Sequence, residues 1–173
     1  EYTSTKTYSD YPCAHRQYKH KGNCALVHGY SRSFTFLFGA KERDQCGFVV
    51  DFGDLKWLKS HLDHLFDHTL LLCADDPLLS EFSKLEAAGA CDIRVLPYGV
   101  GMEDTAQYLC EFVDEKIRDL TKGRAWVISV EARENPKNSA IVAASPAADI
   151  GVLFEIDGAA ANPDGETAPG ALP

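Results

Sequence analysis

The stretch FTFLF, residues 34–38, sets Phe34, Phe36 and Phe38 at period two, so a strand through it carries three large aromatic rings on one face. The chain that follows can cover that face. In GDLKWLKSHLDHLFDH, Leu55, Leu58, Leu62 and Leu65 recur at helical spacing, with Asp51 or Asp54 placed to cap the start. A second helix is predicted in DDPLLSEFSKLEAAG, with Asp76 as N-cap, Pro77 in the first turn and Gly89 past the end. A third spans residues 103–121. Tyr108, Leu109, Phe112, Val113, Ile117 and Leu120 line its apolar face, and Gly123 stops it.

The remaining segments read as strands and turns. KTYSDYPCAHR alternates weakly, as a strand does, and HKGNC is a polar turn. KERDQC is predicted to be a hairpin loop from which GFVVDF returns as a second strand. CDIRVLP is a short strand, AWVISVEAR a longer one, and ENPKNSA a tight turn. Strands, then helices, then strand again indicates an α+β domain, with helices on one face of an antiparallel sheet. From about residue 143 the composition shifts to Ala, Gly and Pro. There IGVLFEI is read as one more short strand, and the rest as a tail. The expected organisation is thus a domain over residues 1–142 and an extension over 143–173.

With 173 residues, the chain can bury one ordinary core. Its net charge of −9 argues against nucleic-acid binding, which needs a basic face. No apolar run of about 18 residues is present to span a membrane, and no basic-then-apolar leader opens the chain. The six cysteines form no C-x-x-C pair, so reduced thiols and a cytoplasmic protein are expected.

Several residue types invite chemistry. His15 and His28 fall near the ends of neighbouring predicted strands, and two strand histidines that approach each other form half of a zinc site. Tyr30, two residues on, shares the face of His28. Cys24 sits in the polar turn beside Lys19, His20 and Lys21, positive neighbours of the kind that favour a thiolate. Asp67 adjoins His68 at a helix end, where a carboxylate can orient an imidazole. Glu134 precedes a tight turn, and Glu103 opens a helix. A buried carboxylate can grip the guanidine-like edge of a pterin or guanine ring with two hydrogen bonds. Each feature also has a plain structural reading: satisfied core or surface histidines, a half-buried loop cysteine, a carboxylate that offsets a helix dipole.

In order along the chain, CAHR (13–16), CALVHGY (24–30), GFVVDFGDLK (47–56), LFDHTLL (65–71), MEDTAQYL (102–109) and ENPKNSA (134–140) resemble the 6-pyruvoyl-tetrahydropterin synthase superfamily. Within it they are most similar to the bacterial 6-carboxytetrahydropterin synthase branch of queuosine biosynthesis. Three residues between Cys24 and His28 match that branch, whereas the pyruvoyl branch typically has five. The presence of Cys24 also separates the chain from the branch that carries glutamate in its place.

The resemblance implies a tunnelling fold, with a barrel formed by oligomerisation, and a homohexamer built as a dimer of trimers. It implies a zinc-dependent lyase that converts 7,8-dihydroneopterin triphosphate into 6-carboxytetrahydropterin, acetaldehyde and triphosphate. By position, His15 and His28 look like zinc ligands, Cys24 like the catalytic thiol, and Asp67 and His68 like its partners in proton transfer. Glu134 looks like the pterin anchor, and Glu103 matches a further acidic residue of the family. Arg16, Lys19, Lys21 and Arg32 are candidates for a patch that meets the triphosphate.

The chain departs from the family in two places. Where the family reads H-G-H, this chain has His28-Gly29-Tyr30. A neutral phenol, with a pKa near 10 in general, binds zinc poorly unless the metal removes its proton. Either Tyr30 ligates as phenolate, or His20 moves in, or water completes a two-histidine site, or the metal is lost. Loss of the metal would leave an acid–base variant or a pterin- or purine-binding protein. Residues 73–100 also form an inserted helix and strand, longer than the common enzymes have, and the tail beyond 143 is extra as well.

Overall fold

The computed structural model describes residues 1–144; the IGVLFEI segment and the tail lie outside the described residues. Six strands form one sheet in the order β4-β3-β1-β2-β5-β6. They are β1 (Tyr2–His15), β2 (His28–Ala40), β3 (Thr69–Cys73), β4 (Ile93–Leu96), β5 (Ala125–Asn135) and β6 (Asn138–Ala143). Three helices accompany them, α1 (Lys56–Phe66), α2 (Leu79–Ala87) and α3 (Met102–Leu120), with short 3-10 turns at Asn23–Ala25 and Phe52–Leu55.

Phe34, Phe36 and Phe38 are fully buried. They lie in one cluster with Leu58, Leu62 and Leu65 of α1 and with Leu109, Val113 and Ile117 of α3. Each such side chain contributes roughly 1.5–3 kcal/mol by leaving water, so the aromatic stripe and the two amphipathic helices hold the fold together. Leu120, expected on the buried face, is 55% exposed at the end of α3. The caps form only in part as the sequence indicates, since α2 takes Leu78 rather than Asp76 as its N-cap. Asp51 accepts a hydrogen bond from the Gly53 amide ahead of α1, and Gly89 and Gly123 take positive φ where α2 and α3 stop.

The predicted return strand GFVVDF does not exist. β2 pairs instead with β1 on one side and with β5 on the other, where Phe36 faces Val130. Residues 41–51 form a plug. Asp44 Oδ1 accepts from the amides of Cys46 and Phe48, and the Arg124 guanidinium donates to the carbonyls of Glu42, Phe48 and Val49. Val49 and Val50 are thereby pushed into the core. Backbone groups satisfied by an arginine in this way have no need of a strand partner.

The antiparallel part of the sheet comprises β1, β2, β5 and β6, whereas β3 runs parallel to both β1 and β4. The β3–α2–β4 unit is therefore a crossover, and β3 is buried on both faces. Leu71 enters the main core, while Leu70 and Leu72 form a second cluster with Ile93 and with Leu79 and Phe82 from the α2 segment. α1 and α3 thus share the face predicted for all the helices, and α2 covers the opposite face at the sheet edge.

One irregularity decides where the functional side chains point. β1 pairs with β2 through Tyr8↔Phe34 and then through Tyr11↔Arg32, so two residues of β1 oppose one of β2. Asp10 sits in this bulge at φ 70. Beyond it, Tyr11, Cys13 and His15 are the inward residues of β1, at 5%, 4% and 3% exposure. Straight pairing of the same sequence, without the bulge, would turn Pro12 and Ala14 inward and His15 outward.

Candidate active site

The bulge brings His15, the last residue of β1, directly opposite His28, the first of β2. Their rings lie 4.5 Å apart, and the Tyr30 ring stands edge-on to His28 at 5.7 Å. Gly29 between them is required by close packing, since a Cβ there would meet the Cys13 carbonyl oxygen at 2.8 Å. The two histidines and Tyr30 thus share one face, as their spacing indicates.

His15 is buried, and its Nδ1 has no hydrogen-bond partner. Burial above all, helped by the charges of Arg32 and His28, pushes its pKa down to about 3, so the ring is neutral at neutral pH. An orphaned ring nitrogen costs about 1–3 kcal/mol, which a bound ion or ligand would relieve. His28 Nδ1 is held at 2.7 Å by the Leu26 carbonyl, which leaves its Nε2 for another partner. Two close imidazoles with spare nitrogens suit a zinc ion, and Tyr30 presents a phenol oxygen on the same face. Among the described residues no cluster of three His, Cys, Asp or Glu side chains is placed to hold a metal, so any third protein ligand comes from outside that set. His20 Nδ1 accepts from the Gly22 amide at 2.9 Å, which leaves only its Nε2 open.

Cys24 lies exposed in the 3-10 turn between the two histidines. The Gln17 amide donates to the Cys24 carbonyl at 2.8 Å, which ties the turn to the residues just past His15. The Gln17 side chain in turn packs where a Cβ on Gly101 would sit, next to Glu103 on the first turn of α3. Glu103 and the Cys24 segment are thus linked through Gln17.

Arg32 was a candidate for the phosphate patch, but it is completely buried. It donates to the Val100 carbonyl at 3.2 Å and Thr105 Oγ1 at 3.4 Å, and its Nε has no partner. Burial lowers the Arg32 pKa, the charges of Cys13 and Glu134 partly offset this, and Arg32 in turn helps lower that of His15, so these groups belong to one neighbourhood. Glu134, near the end of β5, accepts from the side chains of Asn135 and Asn138 across the turn into β6. Arg16 and Lys19 are also committed, to Asp76 at 2.7 Å and to Asp75 at 2.8 Å. Of the four cations expected to meet a triphosphate, Lys21 alone keeps an exposed position without an ion pair among the described residues.

Asp67 and His68 form a pair of their own. Asp67 Oδ1 lies 2.7 Å from His68 Nδ1, and the His68 amide donates to the Pro12 carbonyl at 2.8 Å. His68 adopts φ 59, a backbone geometry that costs a non-glycine residue about 1 kcal/mol and is common where function demands it. The carboxylate on Nδ1 leaves Nε2 free to handle a proton. No hydrogen bond joins this pair to Cys24 among the described residues. An open groove of about 600 Å³ does run between Tyr30 and His68, a volume that suits a small-molecule ligand.

The family model described as 6-pyruvoyl tetrahydropterin synthase matches residues 4–145. The chain is 35% identical over 128 residues to the 6-carboxy-5,6,7,8-tetrahydropterin synthase of Rickettsia conorii, covering 73% of this chain and 90% of that protein. To the enzyme of the same name from Rickettsia typhi it is 38% identical over 68 residues, 39% of this chain and about half (49%) of the relative's length. Among solved structures, an uncharacterized protein from Wolinella succinogenes superimposes with a TM-score of 0.72 at 24% identity, over 83% of this chain and 98% of that one. The 6-pyruvoyl tetrahydropterin synthase of Plasmodium falciparum gives 0.58 at 20% identity, over 81% and 96%. These two structural likenesses concern the fold.

Proposed function

Because the chain belongs to the 6-pyruvoyl tetrahydropterin synthase family and has its tunnelling fold, we propose that it is a lyase of the 6-carboxytetrahydropterin synthase type. The reaction would take 7,8-dihydroneopterin triphosphate and a water to 6-carboxytetrahydropterin, with release of acetaldehyde and triphosphate, and would feed a 7-deazapurine route of the queuosine kind. The observation that carries this reading is the His15–His28 pair on one face, with the exposed Cys24 turn strung between the two strands.

Zinc is the metal that this donor set suits, held by His15 and His28 with Tyr30 as oxygen donor. When bound, it would polarise the hydroxyl and carbonyl oxygens of the substrate side chain. The protein's own groups do the rest. Cys24 as thiolate takes a proton from the pterin side chain, and His68, oriented by Asp67, returns one. Glu134 grips the guanidine-like edge of the ring, and Glu103 adds a second acidic contact near the Cys24 segment. Cys24 and the Asp67–His68 pair are not joined within one chain, which supports a site completed by a neighbouring subunit in a hexamer of two trimers. A cytoplasmic location fits free thiols in the described residues and the absence among them of a helix long and apolar enough to cross a membrane.

The test is turnover. The purified protein should release acetaldehyde from 7,8-dihydroneopterin triphosphate, and Cys24→Ala should lose at least a hundredfold in kcat while still binding the pterin. A protein that holds the pterin and is indifferent to Cys24→Ala would be a binding protein, and the lyase reading would be wrong.

A further inference from the structure

The segment that carries Cys24 is held from a distance. Arg16 follows His15 directly, and its Nε donates to Asp76 Oδ2 at 2.7 Å on the turn between β3 and α2. Asp76 is 4% exposed, and its other oxygen, Oδ1, accepts from the Leu78 amide at 2.9 Å, so both are committed. The guanidinium of Arg16 also lies over the Phe82 ring of α2, at 5.8 Å from its centroid. Phe82 itself packs on the Leu70, Leu72 and Ile93 cluster, so the anchor point is part of a core.

From that anchor the hydrogen bonds lead to the thiol. The Gln17 amide donates to the Cys24 carbonyl at 2.8 Å, the His20 amide to the Gln17 carbonyl at 2.8 Å, and the Ala25 amide to the Gly22 carbonyl at 3.0 Å. A second tie, Lys19 to Asp75, is solvent-exposed on both sides and holds little by itself. Asp76 in the Arg16–Asp76 pair is buried and Arg16 keeps 13% side-chain exposure, so breaking the pair should release the segment.

We propose that Asp76 is a positioning residue for Cys24. The β3–α2–β4 unit holds the thiol-bearing turn beside the His15–His28 pair through Arg16. This rests on the lyase reading for its catalytic consequence, but not for its structural one. The turn between β3 and α2 thus has a task in the site, exerted through Arg16.

Asp76→Asn in the full-length protein tests this with two readouts. Hydrogen exchange at the amides of Gln17, His20, Ala25 and Leu26 should accelerate at least tenfold, while β2 amides from Phe34 to Phe38 keep their protection. Turnover should drop at least tenfold in kcat with KM changed less than threefold, since Glu134 lies on β5 and its grip is not altered. Unchanged exchange in the segment overturns the anchor, and faster exchange with unchanged kcat overturns the positioning role. Should Asp76→Asn lose protection throughout, Arg16→Lys is judged by the same readouts. It keeps the charge but lacks Nε, and wild-type exchange and kcat there overturn the proposal. If the native protein turns over no dihydroneopterin triphosphate, the lyase reading fails, whereas the exchange measurement still decides whether Asp76 holds the segment.

Discussion

The bulge in β1 offers a sharp prediction, because the fold accepts a strained residue there in exchange for the orientation of three others. Asp10 at φ 70 costs about 1 kcal/mol relative to glycine in the same geometry. Straight pairing from Tyr8 onward would remove that strain but turn Tyr11, Cys13 and His15 outward. Tyr11 would lose roughly 2–3 kcal/mol of burial and Cys13 about 1. Tyr11 would also lose the hydrogen bond from its hydroxyl to Asp63 Oδ1 at 3.1 Å, about 1 kcal/mol more. The bulge is therefore favoured by roughly 3–4 kcal/mol, the difference between those losses and the strain. Asp10→Gly should raise stability by about 0.5–1 kcal/mol in urea unfolding, and Asp10→Val should lower it by about 1–2.

Deletion of Asp10 is more telling. It leaves Ser9 opposite Ser33 and keeps Tyr8↔Phe34 and Tyr11↔Arg32 as they are, so the inward set is unchanged. The deletion variant should remain folded, with Cys13 as unreactive toward a thiol reagent as in the parent, while exposed Cys46 labels freely in both. If Cys13 becomes as reactive as Cys46 while the protein stays folded, the parity argument is wrong.

Other predictions rest on single features. His61 stacks on Phe112 and its Nε2 lies 2.9 Å from the Tyr108 hydroxyl, and burial pushes its pKa down to about 4. Its contribution to stability is present above pH 6.5, the unfolded value, and is lost as pH falls towards 4. His61→Phe should flatten the acid limb of the stability–pH curve by on the order of 2 kcal/mol, and a variant with the parent's slope would count against it. Phe36→Ala should cost roughly 3–5 kcal/mol in chemical unfolding, because the ring is fully buried between the sheet and helices; a loss under 1 would contradict that packing. Arg124→Met should free the carbonyls of Glu42, Phe48 and Val49. Limited proteolysis should then cut within residues 41–51, and persistent resistance there would show that the plug is held by other means.

Much of this molecule is legible from local periodicity. Phe34, Phe36 and Phe38, the leucines of α1 and the apolar face of α3 repeat at the spacing that their elements impose, and those elements form the core. Segments 41–51 and 69–73 are less legible, each for a physical reason. GFVVDF has the composition of a strand, but its backbone partner is Arg124, far along the chain and invisible to any local window. TLLLC is apolar on both faces because β3 lies between two parallel neighbours with helices on either side, so it shows no alternation.

In the site, the histidine pair and Tyr30 are found where the spacing puts them. That His15 faces His28 at all depends on the bulge, for which the only local sign is an aspartate tolerant of positive φ. The phosphate patch was read from charges close in sequence, yet Arg16, Lys19 and Arg32 each have partners distant in sequence. Asp76 is not the expected N-cap of α2, which is Leu78; its Oδ1 instead accepts from the Leu78 amide in the turn ahead of the helix, and its other oxygen, on Arg16, has no sequence signal.

Metal content of the purified protein, measured by elemental analysis beside His28→Ala and Tyr30→His, bears most directly on the claim that His15 and His28 form a working metal pair. The native protein should carry about one zinc per chain, lost in His28→Ala and retained or bound more tightly in Tyr30→His. A native protein without metal that gains zinc only in Tyr30→His would contradict it, and would mean that this chain has left the metal chemistry of its family.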